Sequence, residues 1–247
     1  MHRLLLITAV TGAYVAALIA LAPAIMVDVG LDRATGGRLR LAAPAGSLWA
    51  GRGHLELLDP DVSSGIGRPV EWRLVPGSLR HGGIGFEVLA RGAEQPFSVI
   101  FSWRRFEVSS ARMSLPAGAL GIAMPQLAPL ELTGNILLDV PSAVWEKGEL
   151  NGGAAVRWSS AGSALSAISP LGSYELKLEC SRSSARLALS TIEGALELSG
   201  SGAWTLGQRP QLRASARVQP AHRPQLAPLL RLVGVEREPG RFELELK

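Results

Sequence analysis

A single cysteine, Cys180, in a chain of 247 residues excludes an intrachain disulfide and any metal site built on paired cysteines. Histidine is also scarce: His2, His54, His81 and His222 stand far apart, and no two of them share metal-ligand spacing. Asp59, Asp61 and His81 could meet one of the many serines in space, but such a triad needs a nucleophile elbow or its equivalent, and no Gly-x-Ser-x-Gly occurs. Phosphate cradles fail in the same way. Gly65-Ile66-Gly67-Arg68-Pro69 carries a proline where a helix-opening loop is required, and there is no Gly-Lys-Ser/Thr. Lysine occurs only at Lys147, Lys177 and Lys247, and the arginines alternate with acidic residues. The net charge of +4 is therefore scattered, which argues against a nucleic-acid footprint. Without a nucleophile, a carboxylate pair or a metal cluster, the sequence predicts a protein that is not an enzyme and takes no cofactor or metal.

What the chain does have is an uncharged run from Leu4 to Val27, preceded by Arg3 and closed by Asp28. As one helix it would cover the ~30 Å hydrocarbon core of a bilayer. Ala22-Pro23-Ala24 loosely fits a signal-peptidase site, but the run is longer than the usual signal core of ~7–15 residues and continues beyond that point, so an uncleaved anchor is expected over residues 1–29. Orientation is not settled by charge. Arg33, Arg38 and Arg40 outnumber Arg3, yet large domains translocate largely regardless of that balance.

From residue 30 to 247 the pattern becomes period-two alternation between turn residues, the mark of antiparallel sheet. Val70, Trp72 and Leu74 alternate with charges, as do Ile84, Phe86 and Val88, then Phe97, Val99, Phe101 and Trp103. The segments 174–180, 185–191, 195–199, 212–218 and 242–246 alternate almost perfectly, and this places Cys180 on the apolar face with Tyr174, Leu176 and Leu178, as a buried and inert thiol. Pro116, Pro125 and Pro129 forbid a regular helix or central strand across 115–129, so two subunits of the β-region are expected to meet near 114–130. A helix-like piece runs from Gln225 to Val233. The expected fold is mainly β: a transmembrane helix followed by a large antiparallel sheet, curved or partly closed into a barrel, with a two-sheet sandwich as the alternative.

Glycine and tryptophan recur together in this β-region. Gly46-Ser47-Leu48-Trp49-Ala50-Gly51 opens it; Trp72-Arg73-Leu74-Val75-Pro76 follows; the second half holds Leu171-Gly172-Ser173-Tyr174 and the stretch Thr191–Trp204 with Gly194, Gly200 and Trp204. Glycines beside a large aromatic suit a sharp turn or a close strand approach around an anchored side chain. Trp49, Trp72, Trp103, Trp158 and Trp204 are expected to be core or edge-covering residues, with Trp49 buried deeply enough that its loss would cost about 3–5 kcal/mol.

These motifs, in this order and behind a short amino-terminal anchor, resemble the N component of the bacterial type II (general) secretion pathway over nearly the whole chain. Ser47 stands where that family often has threonine. The resemblance implies a single-pass inner-membrane protein with its large domain in the periplasm, an accessory scaffold in the export of folded proteins across the outer membrane. Its implied partners are other secretion components, the inner-membrane platform or the secretin, together with inner-membrane lipid around the anchor. It brings no catalytic residues. The alternative is a periplasmic sheet whose apolar face forms a groove that binds or transfers lipid.

Overall fold

A computed structural model describes residues 2–59, 62–123, 125–166, 168–205, 208, 211–226, 235–238 and 240–246. Two helices come first, α1 (His2–Ala20) and α2 (Ile25–Thr35). The strands follow as β1 (Leu39–Gly46), β2 (Ala50–Asp59), β3 (Val62–Val75), β4 (Ile84–Ala90), β5 (Phe97–Ser102), β6 (Arg105–Pro116) and β7 (Leu132–Glu146). After these come β8 (Glu149–Ser163), β9 (Gly172–Ser181), β10 (Ser184–Gly194), β11 (Leu196–Thr205), β12 (Gln211–Val218), β13 (Val235–Glu238) and β14 (Arg241–Leu246). All fourteen form one antiparallel sheet in chain order, except that β14 lies between β12 and β13. The sheet is open, with β1 and β13 as its edges, so it is neither a closed barrel nor the two-sheet sandwich.

The period-two pattern explains this topology. Residues directly opposite each other in an antiparallel ladder share a face. One face carries Trp72, Val88, Val99, Val108, Leu138, Val156, Leu176, Leu189 and Phe242, each level with apolar neighbours on the next strand. The other carries cross-strand ion pairs, with Arg112 Nη2 at 2.9 Å from Asp139 and Arg157 Nη2 at 3.1 Å from Glu175. Where the sequence changes parity, the backbone compensates. Ser110 adopts a left-handed φ of +58°, the β7–β8 register shifts between Asp139 and Ser142, and apolar positions pass from Phe106 and Val108 to Ala111 and Met113 without leaving their face.

Because the sheet is a meander, alternate turns share an end. One end, here the near end, holds the turns 47–49, 76–83, 103–104, 147–148 and 182–183; the far end holds 91–96, 117–131 and 164–171. The proline-rich stretch after β6 contains a five-residue helix, α3 (Ala119–Ala123), and a 3₁₀ turn (Pro125–Leu130), and the flanking strands β6 and β7 pair directly. Of the piece from Gln225 to Val233, only Gln225 and Leu226 fall within the described residues.

The apolar face is covered at two places. Toward the β1 edge, Ala24, Leu41, Val70, Trp72 and Ala90 form a buried cluster joined by Val27 and Leu31 of α2. Toward the other edge, Leu171, Leu196, Ala216, Val218, Phe242 and Leu226 form a second. Between them Val156, Leu176, Leu178, Leu187 and Leu189 stay half-buried.

The amino-terminal run is not one helix. α1 stops at Ala20, the chain turns, and α2 starts at Ile25, because Ala22 and Ala24 are buried against the sheet while Pro23 bridges to Ser47. Among the described residues no helix is long and apolar enough to cross a membrane. Each side chain of α1 from Val10 to Ala20 is exposed, so this apolar helix stands off the sheet.

Candidate functional site

The glycine-tryptophan motif builds the joint between the helices and the sheet. Gly46 ends β1 at a φ of +94°, where a Cβ would lie 2.6 Å from the Ala50 carbonyl oxygen. Ser47 shapes the turn: its Oγ accepts from the Ala50 N–H at 3.1 Å and the Trp49 N–H at 3.3 Å. The Leu48 N–H donates to the Ala22 carbonyl at 2.8 Å, and the Leu48 carbonyl accepts from Trp72 Nε1 at 3.0 Å. Gly51 leaves room for the Trp72 ring, whose Cζ2 would lie 2.5 Å from a Cβ there. Pro76 opens the 3₁₀ turn that follows β3.

Trp49 departs from expectation. It lies outside the strands, half-buried, and its Nε1 donates to the Ile19 carbonyl at 2.9 Å, so it ties the end of α1 to the sheet instead of filling the core. Trp72 is the buried tryptophan of this region, at 8% exposure. Trp103, also expected to be core or edge-covering, is 98% exposed at the tip of the β5–β6 turn.

Sequence reasoning missed the polar half of the joint. Strand β1 is an edge, and its outward N–H groups would be open to a foreign strand. Helix α2 satisfies them: the Leu41 N–H donates to Asp28 Oδ1 at 2.7 Å and the Leu39 N–H to Thr35 Oγ1 at 2.9 Å. The Ala24 N–H adds a bond to the Gly46 carbonyl at 3.2 Å. Asp28 is 6% exposed and held by Arg40 through Nε at 3.0 Å and Nη2 at 2.8 Å. Its position as the first charge after the apolar run was visible, but its partner twelve residues on was not.

The Arg40 hydrogen bonds and then the Leu41 N–H pull the Asp28 carboxyl from its ordinary 3.8 down to about 2, against the opposing effect of burial. A carboxyl depressed in the fold stabilises it above its unfolded pKa and loses that contribution as pH falls. The stabilisation is thus complete above about pH 4 and vanishes between about pH 4 and 2. Because Arg40 is partly in solvent and screened, Asp28→Asn should cost roughly 1–2 kcal/mol at neutral pH. Acid titration of the full chain, followed by circular dichroism, should show a shallower loss of stability between pH 4 and 2 in the variant. Equal slopes would mean that the carboxylate is not the group holding the edge.

The second group of motif residues lies elsewhere, since β9 is six places along the sheet from β3. Gly172 and Gly194 pair across β9 and β10 at the far end. Tyr174 is buried beside them and donates to the Leu196 carbonyl at 2.9 Å, with burial pushing its phenol pKa well up. Gly200 sits where a Cβ would meet the Arg213 carbonyl oxygen at 2.7 Å, and Trp204 Nε1 donates to the Gln208 carbonyl at 2.9 Å. Cys180 is half-buried with its thiol pKa raised by burial, which leaves it mostly as the unreactive thiol.

No group of three or more His, Cys, Asp or Glu able to hold a metal occurs among the described residues. The depression of about 690 Å³ beside the joint is lined by Arg52, Glu71, Arg73 and Glu87, and Arg73 Nε already donates to Glu87 at 2.6 Å. Such a surface can pair, cover and tether.

Fold and site together define an open, one-sided antiparallel sheet with an apolar helix attached at one end. Residues 37–245 match the family model for the type II secretion system (T2SS), protein N. The chain belongs to that family, and the match covers nearly the whole sheet. No curated protein and no solved structure matches it.

Proposed function

We propose that this protein is an accessory, non-catalytic scaffold of the type II secretion system, held at the inner membrane by its amino-terminal apolar segment, with its sheet in the periplasm contacting other secretion components. The family match carries this reading. The exposed apolar surface of α1 supports it, since an apolar helix that does not pack on its own domain needs another cover. On this reading residues 1–29 form the membrane anchor and 30–247 the periplasmic β-region, with 114–130 joining two parts of one sheet. The platform or the secretin would meet the sheet at its edges or ion-paired face. A reporter enzyme fused after Lys247 should be active only as an exported fusion; activity confined to the cytoplasm would sink the proposal.

A second reading is favoured by one observation. The apolar face is left half-buried from β8 to β10, with no second layer over it among the described residues, as a surface for lipid or another hydrophobic ligand would be. Photo-crosslinkers at Leu176 and Leu198 in cells with the complete machinery separate the two. Lipid adducts support the groove, whereas silent inward positions and protein adducts at strand edges support the scaffold.

A further inference from the structure

The two ends of the sheet differ in a way that neither the family nor the joint explains. The near-end turns 76–83, 103–104, 147–148 and 182–183 each contain one cation, Arg80, Arg104, Lys147 and Arg182; Lys147 Nζ lies 3.8 Å from Glu146, which with Glu149 flanks its turn, and the other three turns hold no acid. The far-end turns 91–96, 117–131 and 164–171 contain Arg91, Glu94 and Glu131 and no tryptophan, and the segment 219–226 that leaves β12 at the same end adds Arg223 and again no tryptophan. Trp103 projects from the near end at 98% exposure, where burial in the fold stabilises none of its surface. Just behind it, one row crosses four strands on the apolar face. Ile84 faces Phe101, Phe101 faces Phe106, and Phe106 faces Trp145, all four exposed, with the two phenylalanine rings 5.1 Å apart.

We propose that the near end carries a membrane-contact site distinct from α1, in which Trp103 and the Phe101–Phe106–Trp145 row insert at the interface of an anionic bilayer while Arg104, Lys147 and Arg182 bind its headgroups. The chemistry selects this occupant. Tryptophan with an apolar body and a polar N–H suits the headgroup boundary, and arginine and lysine are drawn to a negative surface. A basic nucleic-acid surface would not need a contiguous row of phenylalanine and tryptophan on one face. Position selects it too: α1 leaves the sheet at this same end, where Trp49 Nε1 bonds the Ile19 carbonyl and the Leu48 N–H bonds the Ala22 carbonyl. A bilayer holding α1 would therefore lie beside the turns. The site rests on the reading of α1 as a membrane segment, and it gives that segment a consequence: the sheet is held at two points and stands in a fixed pose on the membrane.

The test uses the full chain with Cys180→Ser, so that a single introduced cysteine carries an environment-sensitive fluorophore. Trp103→Cys probes the site and Gln95→Cys, in a far-end turn, is the control. Reconstitution is into vesicles of phosphatidylethanolamine and phosphatidylglycerol, with phosphatidylcholine vesicles for comparison, and nitroxide-bearing lipid as quencher. The label at 103 should be quenched in the anionic vesicles and the label at 95 should not. Arg104→Gln and Arg182→Gln should weaken the contact by on the order of fivefold per arginine, and added salt should weaken it further.

A wet label at 103 on protein that floats with the vesicles overturns the contact and leaves the anchor standing. Protein that fails to float overturns both. A label dry only in native membranes, with crosslinks to a protein, overturns the lipid assignment in favour of a protein partner.

Discussion

Replacing Trp72 with alanine should destabilise the fold by about 3–5 kcal/mol, the cost of emptying a large aromatic site in a packed cluster. The ring is 8% exposed among Ala24, Leu41, Val70 and Ala90, and its Nε1 satisfies the Leu48 carbonyl at 3.0 Å. Its loss would leave a cavity and remove one of the bonds that hold the turn after β1. Trp49→Ala should cost less, since that ring is half-buried and its hydrogen bond to Ile19 is of the ordinary net worth of about 1 kcal/mol. Denaturant titration of the full chain in detergent, followed by far-ultraviolet circular dichroism, measures both. A Trp49 variant as unstable as the Trp72 variant would contradict the assignment of the core to Trp72.

Gly194→Ala is expected to be comparably severe. Gly194 has a φ of +140°, a region that residues with a Cβ adopt only at about 1–3 kcal/mol. A Cβ there would also stand 2.5 Å from the Leu171 carbonyl oxygen and against the Gly172 Cα. These obstacles are backbone held by the β9–β10 ladder, so no side chain can swing aside, and the overpacking adds about 1–3 kcal/mol more. Gly148→Ala is the matched control. Its φ is +87° but a Cβ there meets nothing within 4 Å, so only the backbone strain is felt, roughly 1–2 kcal/mol. Equal effects at the two positions would show that strain alone, and not the close strand approach, governs Gly194.

Much of the fold was legible because strand formation here depends on a local pattern. Alternation from Tyr174 to Cys180 and from Leu212 to Val218 fixes which residues share a face whatever pairs with them, and β9 and β12 follow those limits closely. The glycine-tryptophan motif was legible as a packing device, yet the wrong tryptophan was given the core. Trp49 stands closer to Gly51 in sequence than Trp72 does, and only the pairing of Gly51 with Trp72 shows which ring that glycine admits. Trp103 continues the alternation of β5 and so reads as inward, but the strand ends at Ser102 and the turn carries the ring into the open. Alternation indicates the face a residue would take in a strand, not where the strand stops.

By itself the sequence determined the β class, the apolar helix at the amino terminus and the family, because each rests on residue types at short range. Only the tertiary structure decided that the sheet is single and open, that α2 seals the β1 edge through Asp28 and Thr35, and that the aromatic and basic turns gather at the end from which α1 departs. Those outcomes depend on contacts between residues distant in the chain, such as Asp28 with Arg40 and Trp72 with Leu48. Periodicity constrains the direction of a side chain, whereas the ladder, closed strand by strand, decides what that side chain meets.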